Sequence, residues 1–152
     1  IKRTVQMNCK NFKADIFTIT ENLNREQIYN LYKNSSILLF LSRGEGLGLP
    51  LVEAGMLGLP IIYANNSSCN EFSIGRNVHA VSCVNDLAIN MTQYSYEGDY
   101  GIPILKEAVD KLKLCYDMWK KDKKDYYKID SREMLKKMFS EENVTKQIQR
   151  LL

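Results

Sequence analysis

Long apolar runs are missing from this 152-residue chain. No stretch approaches the roughly 20 apolar residues that a bilayer-spanning helix requires, and no signal peptide is visible. Metal-ligand patterns are missing too. Cys9, Cys69, Cys83 and Cys115 form no CxxC pair, and the lone His79 has no second ligand at finger-like spacing. The cysteines are expected to be reduced thiols of a cytoplasmic protein, and no metal or other cofactor is expected. Charge of one sign is scarce: 21 basic against 18 acidic residues leave a surplus of +3. That is too small to argue for nucleic acid, and the aromatic residues do not interleave with a basic stripe. Repeats and low-complexity segments are absent. What is present is ordinary for a soluble globular protein, 45% apolar and 26% charged residues. The length suffices for one core but not for two ordinary domains.

Against this background one stretch stands out, Ser42-Arg43-Gly44-Glu45-Gly46-Leu47-Gly48-Leu49-Pro50-Leu51-Val52-Glu53. The run Ile37–Leu41 before it is unbroken and apolar, as in a strand buried on both faces of a parallel sheet. Pro50 suits a first helical position, where its missing N–H goes unused. Gly58 and Pro60 are stop signals, so a helix is expected over about residues 50–57. Strand, glycine turn and helix N-terminus together make an anion site of free N–H groups and a helix dipole. Glycines 44, 46 and 48 let the backbone approach a ligand with no Cβ in the way. Glu45 and Glu53 flank the turn. Carboxylates repel a phosphate, so they are better read as acceptors for hydroxyl donors on a sugar and a ribose. A nucleotide sugar carries phosphate between two such polyols.

These residues carry a resemblance. Ser42, Glu45-Gly46-Leu47-Gly48-Leu49-Pro50, Glu53-Ala54 and Gly58-x-Pro60 resemble the E-x7-E signature of group 1, family 4-like retaining glycosyltransferases, whose fold has two Rossmann-like domains (GT-B). Leu47 stands where the family usually has phenylalanine, and Glu53-Ala54-Gly55-Met56 where it has Glu-Ala-Met-Ala. The resemblance covers residues 16–85 well and 131–152 loosely.

The rest of the chain reads as an α/β order. Residues 14–20 have the composition of a strand. Asn22 or Asn24 caps a helix over about 24–34 with Ile28, Leu31 and Tyr32 on one face. Strands follow at 36–41, 59–64 and 77–83, giving β-α-β-α-β with right-handed crossovers. Asn65-Asn66-Ser67-Ser68 forms a loop at the carboxyl end of a strand, the edge where open α/β sheets bind ligands. Glu71 begins a short helix ending near Gly75. Residues 92–102 read as a tyrosine-rich loop or insertion. Pro103 opens a helix over about 104–121 with an apolar stripe of Ile104, Ala108, Leu112, Cys115 and Trp119. Lysines 111, 113, 120, 121, 123 and 124 crowd its far end and read as a solvated face, with peripheral contact to a membrane surface as the alternative. Ser131 begins a further helix, and Ser140 caps the last. The fold expected is therefore α/β, a Rossmann-like parallel sheet flanked by helices, with C-terminal helices. Residues 1–152 are expected to form one incomplete domain of a longer protein.

The resemblance implies a donor-binding half, with an N-terminal acceptor domain elsewhere in the protein. By motif position Glu45 is the catalytic residue implied, one that contacts a hydroxyl of the donor sugar and is not a nucleophile. Gly46, Leu47 and Gly48 offer N–H groups to the sugar and distal phosphate. Leu49 and Leu51 help hold the diphosphate, and Glu53 accepts from the ribose. Ser42 and Glu71 are further site candidates. The implied partners are a UDP-, GDP- or ADP-sugar and an acceptor glycan or lipid, without nucleic acid. The family's basic Gly-x-Arg…Lys clamp for the diphosphate has no match in residues 1–41, so the isolated chain is expected to bind a donor weakly and not to turn it over. Two other readings compete: a non-catalytic nucleotide-sugar-binding or scaffold module, and another enzyme on the same scaffold, such as a nucleotide-sugar epimerase.

Overall fold

A computed structural model describes residues 14–72, 75, 77–87, 99–122 and 131–150. Cys9, the basic segment 1–13, the tyrosine-rich residues 92–98, Lys123, Lys124 and the closing Leu151-Leu152 lie outside the described residues. The chain divides into two compact units, residues 1–30 and 31–152.

In the first unit, residues 15–20 adopt no regular secondary structure, contrary to the strand expected there. Phe17 is 88% exposed and Ile19 54%. Strand propensity amounts to a fit for a pleated, half-buried surface, and no described strand pairs with this segment. Helix α1 (Arg25–Lys33) follows Asn24 and runs past the division, so that Leu31, Tyr32 and Lys33 belong to the second unit. Gln27 N–H donates to Asn24 Oδ1 (2.9 Å) while Asn24 N–H donates to Gln27 Oε1 (2.8 Å), a reciprocal cap that satisfies two orphan donors.

The second unit is built on a parallel sheet of β1 (Leu38–Phe40), β2 (Ile61–Ala64) and β3 (Val78–Val81), in that order. Helix α2 (Leu49–Met56) joins β1 to β2, and α3 (Cys69–Phe72) lies between β2 and β3. This is the Rossmann-like α/β layout expected. All four residues of central β2 are buried, and their alternation splits the core. Ile61 and Tyr63 join Leu51, Ala54 and Leu59 on the α2 face. Ile62 joins Val81, Ala108 and Cys115 on the opposite face. There the cover is helix α4 (Leu105–Lys121), whose Ala108 and Cys115 are buried as the stripe predicted. The expectation that β1 is buried on both faces fails at Leu39, 45% exposed. β1 is an edge strand of the described sheet, and the α4-face cluster draws on its flanking Ile37 and Leu41 instead.

The stop of α2 is a Schellman closure around Gly58, which has φ 81°. Leu59 N–H reaches the Ala54 carbonyl (3.0 Å) and Gly58 N–H the Gly55 carbonyl (3.0 Å). Helix α5 (Ser131–Met138) packs on α2, and Leu135 is 1% exposed. A Cβ built on Gly55 falls 2.5 Å from Leu135 Cδ1, so α5 has room only because residue 55 lacks a side chain. Ser140 caps α6 (Glu141–Gln149) by accepting Asn143 N–H at 3.2 Å.

Two expectations around residue 82 are corrected. The strand read over 77–83 breaks at Ser82, whose N–H donates to Glu107 Oε2 (2.9 Å) and whose carbonyl accepts Ile104 N–H (2.9 Å). Both bonds go to the start of α4, so neither serves a ladder. After the break, β4 (Cys83–Leu87) pairs antiparallel with β5 (Asp99–Pro103). Residues 99–102 are thus strand, not loop, and Pro103 ends β5 instead of opening the helix. Tyrosine and glycine next to one another read as loop, but Gly101 serves a close backbone approach described below.

His79, on β3, carries a buried Nε2 without a partner in the described structure. Burial first, and the Lys111 charge second, hold its pKa below the usual histidine value. A group with a depressed folded pKa binds its proton more readily when unfolded. Stability is therefore complete above about pH 6.5 and declines as pH falls from there toward the folded value. The unfolding free energy measured by urea titration should be lower at pH 5.5 than at pH 7.5 in the wild type, by at most about 1.4 kcal/mol per pH unit for one proton. A His79→Asn variant should flatten the slope. An equally steep slope in the variant would assign it to other groups.

Candidate functional site

The turn joining β1 to α2 lies at the carboxyl end of the parallel sheet, the edge at which open α/β sheets present ligand sites. Gly48 is the N-cap, in left-handed geometry (φ 70°, ψ 44°) and with no side-chain cap bond. A Cβ at Gly48 would meet Cys69 Sγ and Leu51 Cδ1, each at 3.3 Å, so this glycine answers to both backbone and packing. Gly44 and Gly46 differ. Neither has positive φ, and a Cβ on either would meet nothing within 4 Å. Their absent side chains leave open space beside the backbone.

The N–H groups of Gly46, Leu47, Gly48 and Leu49 have no partner among the described residues. Pro50 brings no N–H at all. Leu51, by contrast, is corrected as an anion donor: its N–H donates to the Gly48 carbonyl at 2.9 Å, and its side chain is 2% exposed in the core. The helix therefore starts one residue earlier than read, and the free donors are those before Pro50.

The two carboxylates sit on different sides of this start. Glu45 is half-buried, its N–H donates weakly to Ser67 Oγ (3.4 Å), and its charge helps raise the pKa of the Cys69 thiol, after burial. Glu53 is exposed on the first turns of α2. Its carboxylate lies beside the Tyr32 hydroxyl, whose pKa is raised by burial first and by the Glu53 charge second. Ser42 Oγ donates to the Gly44 carbonyl (3.0 Å), so it shapes the turn instead of presenting a free donor. Glu71 is exposed in the first turn of α3, and its N–H reaches the Ser68 carbonyl at 3.0 Å.

The sequence reading gave no individual role to Tyr32, Ser67, Asn66 or Gly101, although it placed the loop holding Asn66 and Ser67 at the ligand edge of the sheet. Tyr32 was recognised only as a face of α1, and nothing local points from it to residue 53. Asn66 and Gly101 belong to separate segments that only the tertiary fold brings together. Among the described residues no cluster of three or more histidine, cysteine or acidic side chains is placed to hold a metal ion, and no helix is long and apolar enough to cross a membrane.

Comparison with known proteins agrees with this geometry. Residues 8–89 match the family described as Glycosyl transferases group 1. A glycosyltransferase-named protein, number 48, of Sulfolobus islandicus filamentous virus (isolate Iceland/Hveragerdi) is 32% identical over 117 residues, 72% of this chain and 35% of that protein. Another glycosyltransferase-named protein, from Acidianus filamentous virus 2 (isolate Italy/Pozzuoli), is 35% identical over 75 residues, 49% of this chain and 22% of its own length. The serotype-specific mannosyltransferase WbdA of Escherichia coli is 48% identical over 42 residues, 28% of this chain and 5% of that protein. No solved structure gives a significant match. The chain spans about a third or less of these relatives. The family match covers more than half of the 152 residues, and with it the glycine turn, so this chain belongs to the group 1 glycosyl transferases.

Proposed function

We propose that this chain is the donor-binding half of a retaining, family 4-like glycosyltransferase, and that the stretch from Glu45 to Glu53 acts as its E-x7-E motif on a nucleotide sugar. The observation that carries the reading is the row of unpartnered N–H groups from Gly46 to Leu49. They open α2 beside the space left by Gly44 and Gly46, with one carboxylate on each side.

In this reading the diphosphate lies over those N–H groups at the positive end of the α2 dipole. As the bond from the anomeric carbon to the diphosphate breaks, negative charge grows on the leaving oxygen and the sugar becomes oxocarbenium-like. Fixed donors aimed at that charge lower the barrier, because they need no reorganisation when it appears. Glu45 touches the donor sugar through a hydroxyl, and Glu53, oriented by Tyr32, accepts from the ribose. The acceptor, a glycan or a lipid, comes to this half from an N-terminal domain of the same protein. The place of action is the cytoplasm, and the reaction requires no metal.

A panel of UDP, GDP, ADP and their sugars, examined by ligand-detected NMR on the full-length protein, tests the proposal. One base is expected to be preferred, and its nucleotide sugar to bind more tightly than the free diphosphate. Absence of binding across the panel would refute the reading.

A further inference from the structure

We propose that Asn66 is a positioning residue for donor-sugar recognition, acting through the turn that carries Glu45; the inference rests on the function proposed above. The turn has little internal support. Ser42 Oγ to the Gly44 carbonyl is its side-chain bond, and Gly44 and Gly46 contribute no packing. Its shape is imposed from outside, chiefly at its entrance and more weakly where Ser67 Oγ accepts the Glu45 N–H (3.4 Å). Asn66 Nδ2, from the loop after β2, donates to the Ser42 carbonyl at 2.9 Å and more weakly to the Gly101 carbonyl at 3.5 Å. Gly101 N–H in turn donates to the Arg43 carbonyl at 2.8 Å. The Arg43 guanidinium lies 5.6 Å from the ring centre of Tyr100, the neighbouring residue of β5. One carboxamide thus joins the entrance of the turn, the edge loop of the sheet and the β4–β5 hairpin.

The chemistry of the site argues that Asn66 is there for its donors. Its Oδ1 is buried and without a partner in the described structure. A buried unsatisfied acceptor costs free energy that an apolar side chain of similar size would avoid. What the carboxamide supplies in return is its Nδ2, which donates to both carbonyls. Gly101 is the matching half of the arrangement. A Cβ there would stand 2.6 Å from Asn66 Nδ2 and 2.8 Å from Asn66 Cβ, so only glycine lets the carboxamide sit between the two strands of chain. The join is made at residues 42 and 43, directly before Glu45, whereas Glu53 sits on α2 and is held by its helix and by Tyr32. Moving the entrance of the turn therefore displaces the sugar-side carboxylate and leaves the ribose side in place. Displacing Glu45 forfeits its charged hydrogen bond to the sugar hydroxyl, a loss of about tenfold or more in affinity.

The test compares a nucleoside diphosphate with its nucleotide sugar. GDP with GDP-mannose, UDP with UDP-glucose and ADP with ADP-glucose are the probes, titrated on the full-length wild type and on Asn66→Asp, Asn66→Ala and Gly101→Ala. Asn66→Asp keeps the shape and turns the donor into an acceptor facing two carbonyls. The expected result is a fall of about tenfold or more in the preference for the nucleotide sugar over the diphosphate, with diphosphate affinity within about threefold of wild type. Thermal unfolding is followed in parallel, and a variant that loses its fold is replaced by the next of the three. A wild type that binds the probes while the folded variants keep their preference, or lose both ligands equally, overturns the assignment alone. A wild type that binds none of the probes removes the function proposed above and this inference with it.

Discussion

Replacing Glu45 and Glu53 together by alanine in the full-length protein is expected to lower kcat/KM by about 10³-fold or more. Each carboxylate accepts hydroxyl donors in the proposed complex, and a hydrogen bond to a charged group contributes about 1.5–3 kcal/mol. Two such losses amount to about 4 kcal/mol, at 1.4 kcal/mol per factor of ten. Folding should be little affected, because Glu53 is exposed, Glu45 is half-buried and neither makes a salt bridge among the described residues. The single variants should separate. Glu53→Ala weakens the nucleoside diphosphate itself, since the ribose is common to diphosphate and nucleotide sugar. Glu45→Ala weakens the nucleotide sugar and spares the diphosphate. Steady-state kinetics with unfolding curves for all three variants decide the matter. Wild-type kcat/KM in the double variant would mean that the turn is a packing device.

Leu135→Ala should lower stability by about 2–5 kcal/mol, the range for truncating a buried leucine. Leu135 is 1% exposed and meets α2 where Gly55 has no side chain, with the built Cβ only 2.5 Å from its Cδ1. The truncation removes the contact that seats α5 on the helix carrying Glu53. Gly55→Ala probes the same contact from the other side. It gains about 1 kcal/mol of helix propensity but forces a fully buried leucine to move, an overpacking worth about 1–3 kcal/mol. The net effect should be destabilising. Combining the two changes should recover part of the Gly55→Ala cost, because the alanine methyl then occupies space that Leu135 vacated. A double-mutant cycle by urea unfolding measures that coupling. A Leu135→Ala protein within about 0.5 kcal/mol of wild type would refute the packing argument.

Gly55 shows how far local reading reaches. In sequence it is only a departure from the usual Glu-Ala-Met-Ala of the resembled family. Its reason lies 80 residues away, at Leu135. The helix stop at Gly58 was legible because the Schellman closure uses only residues 54–59. The same holds for the caps at Asn24 and Ser140, whose partners lie three residues on. Errors fall where the deciding partner is distant. Residues 15–20 have strand composition but no described partner, and Ser82 is drawn out of its strand by Glu107 and Ile104.

Local chemistry therefore determined the parallel α/β order, the glycine turn opening α2 and the two glutamates beside it. Periodicity, caps and turn residues act within a few positions of each other, and those can be read along a chain. The helix start settles locally which N–H groups remain open, since Leu51 turns its donor back to Gly48, three residues before it, while Gly46 to Leu49 keep theirs. Only the tertiary structure decided that Tyr32 meets Glu53, and that Asn66 and Gly101 close on Ser42 and Arg43. Those contacts join segments separated by 21 to 58 positions in the chain. They form when packing of the sheet and helices brings distant backbone within hydrogen-bond reach, and no periodicity in the intervening residues encodes them.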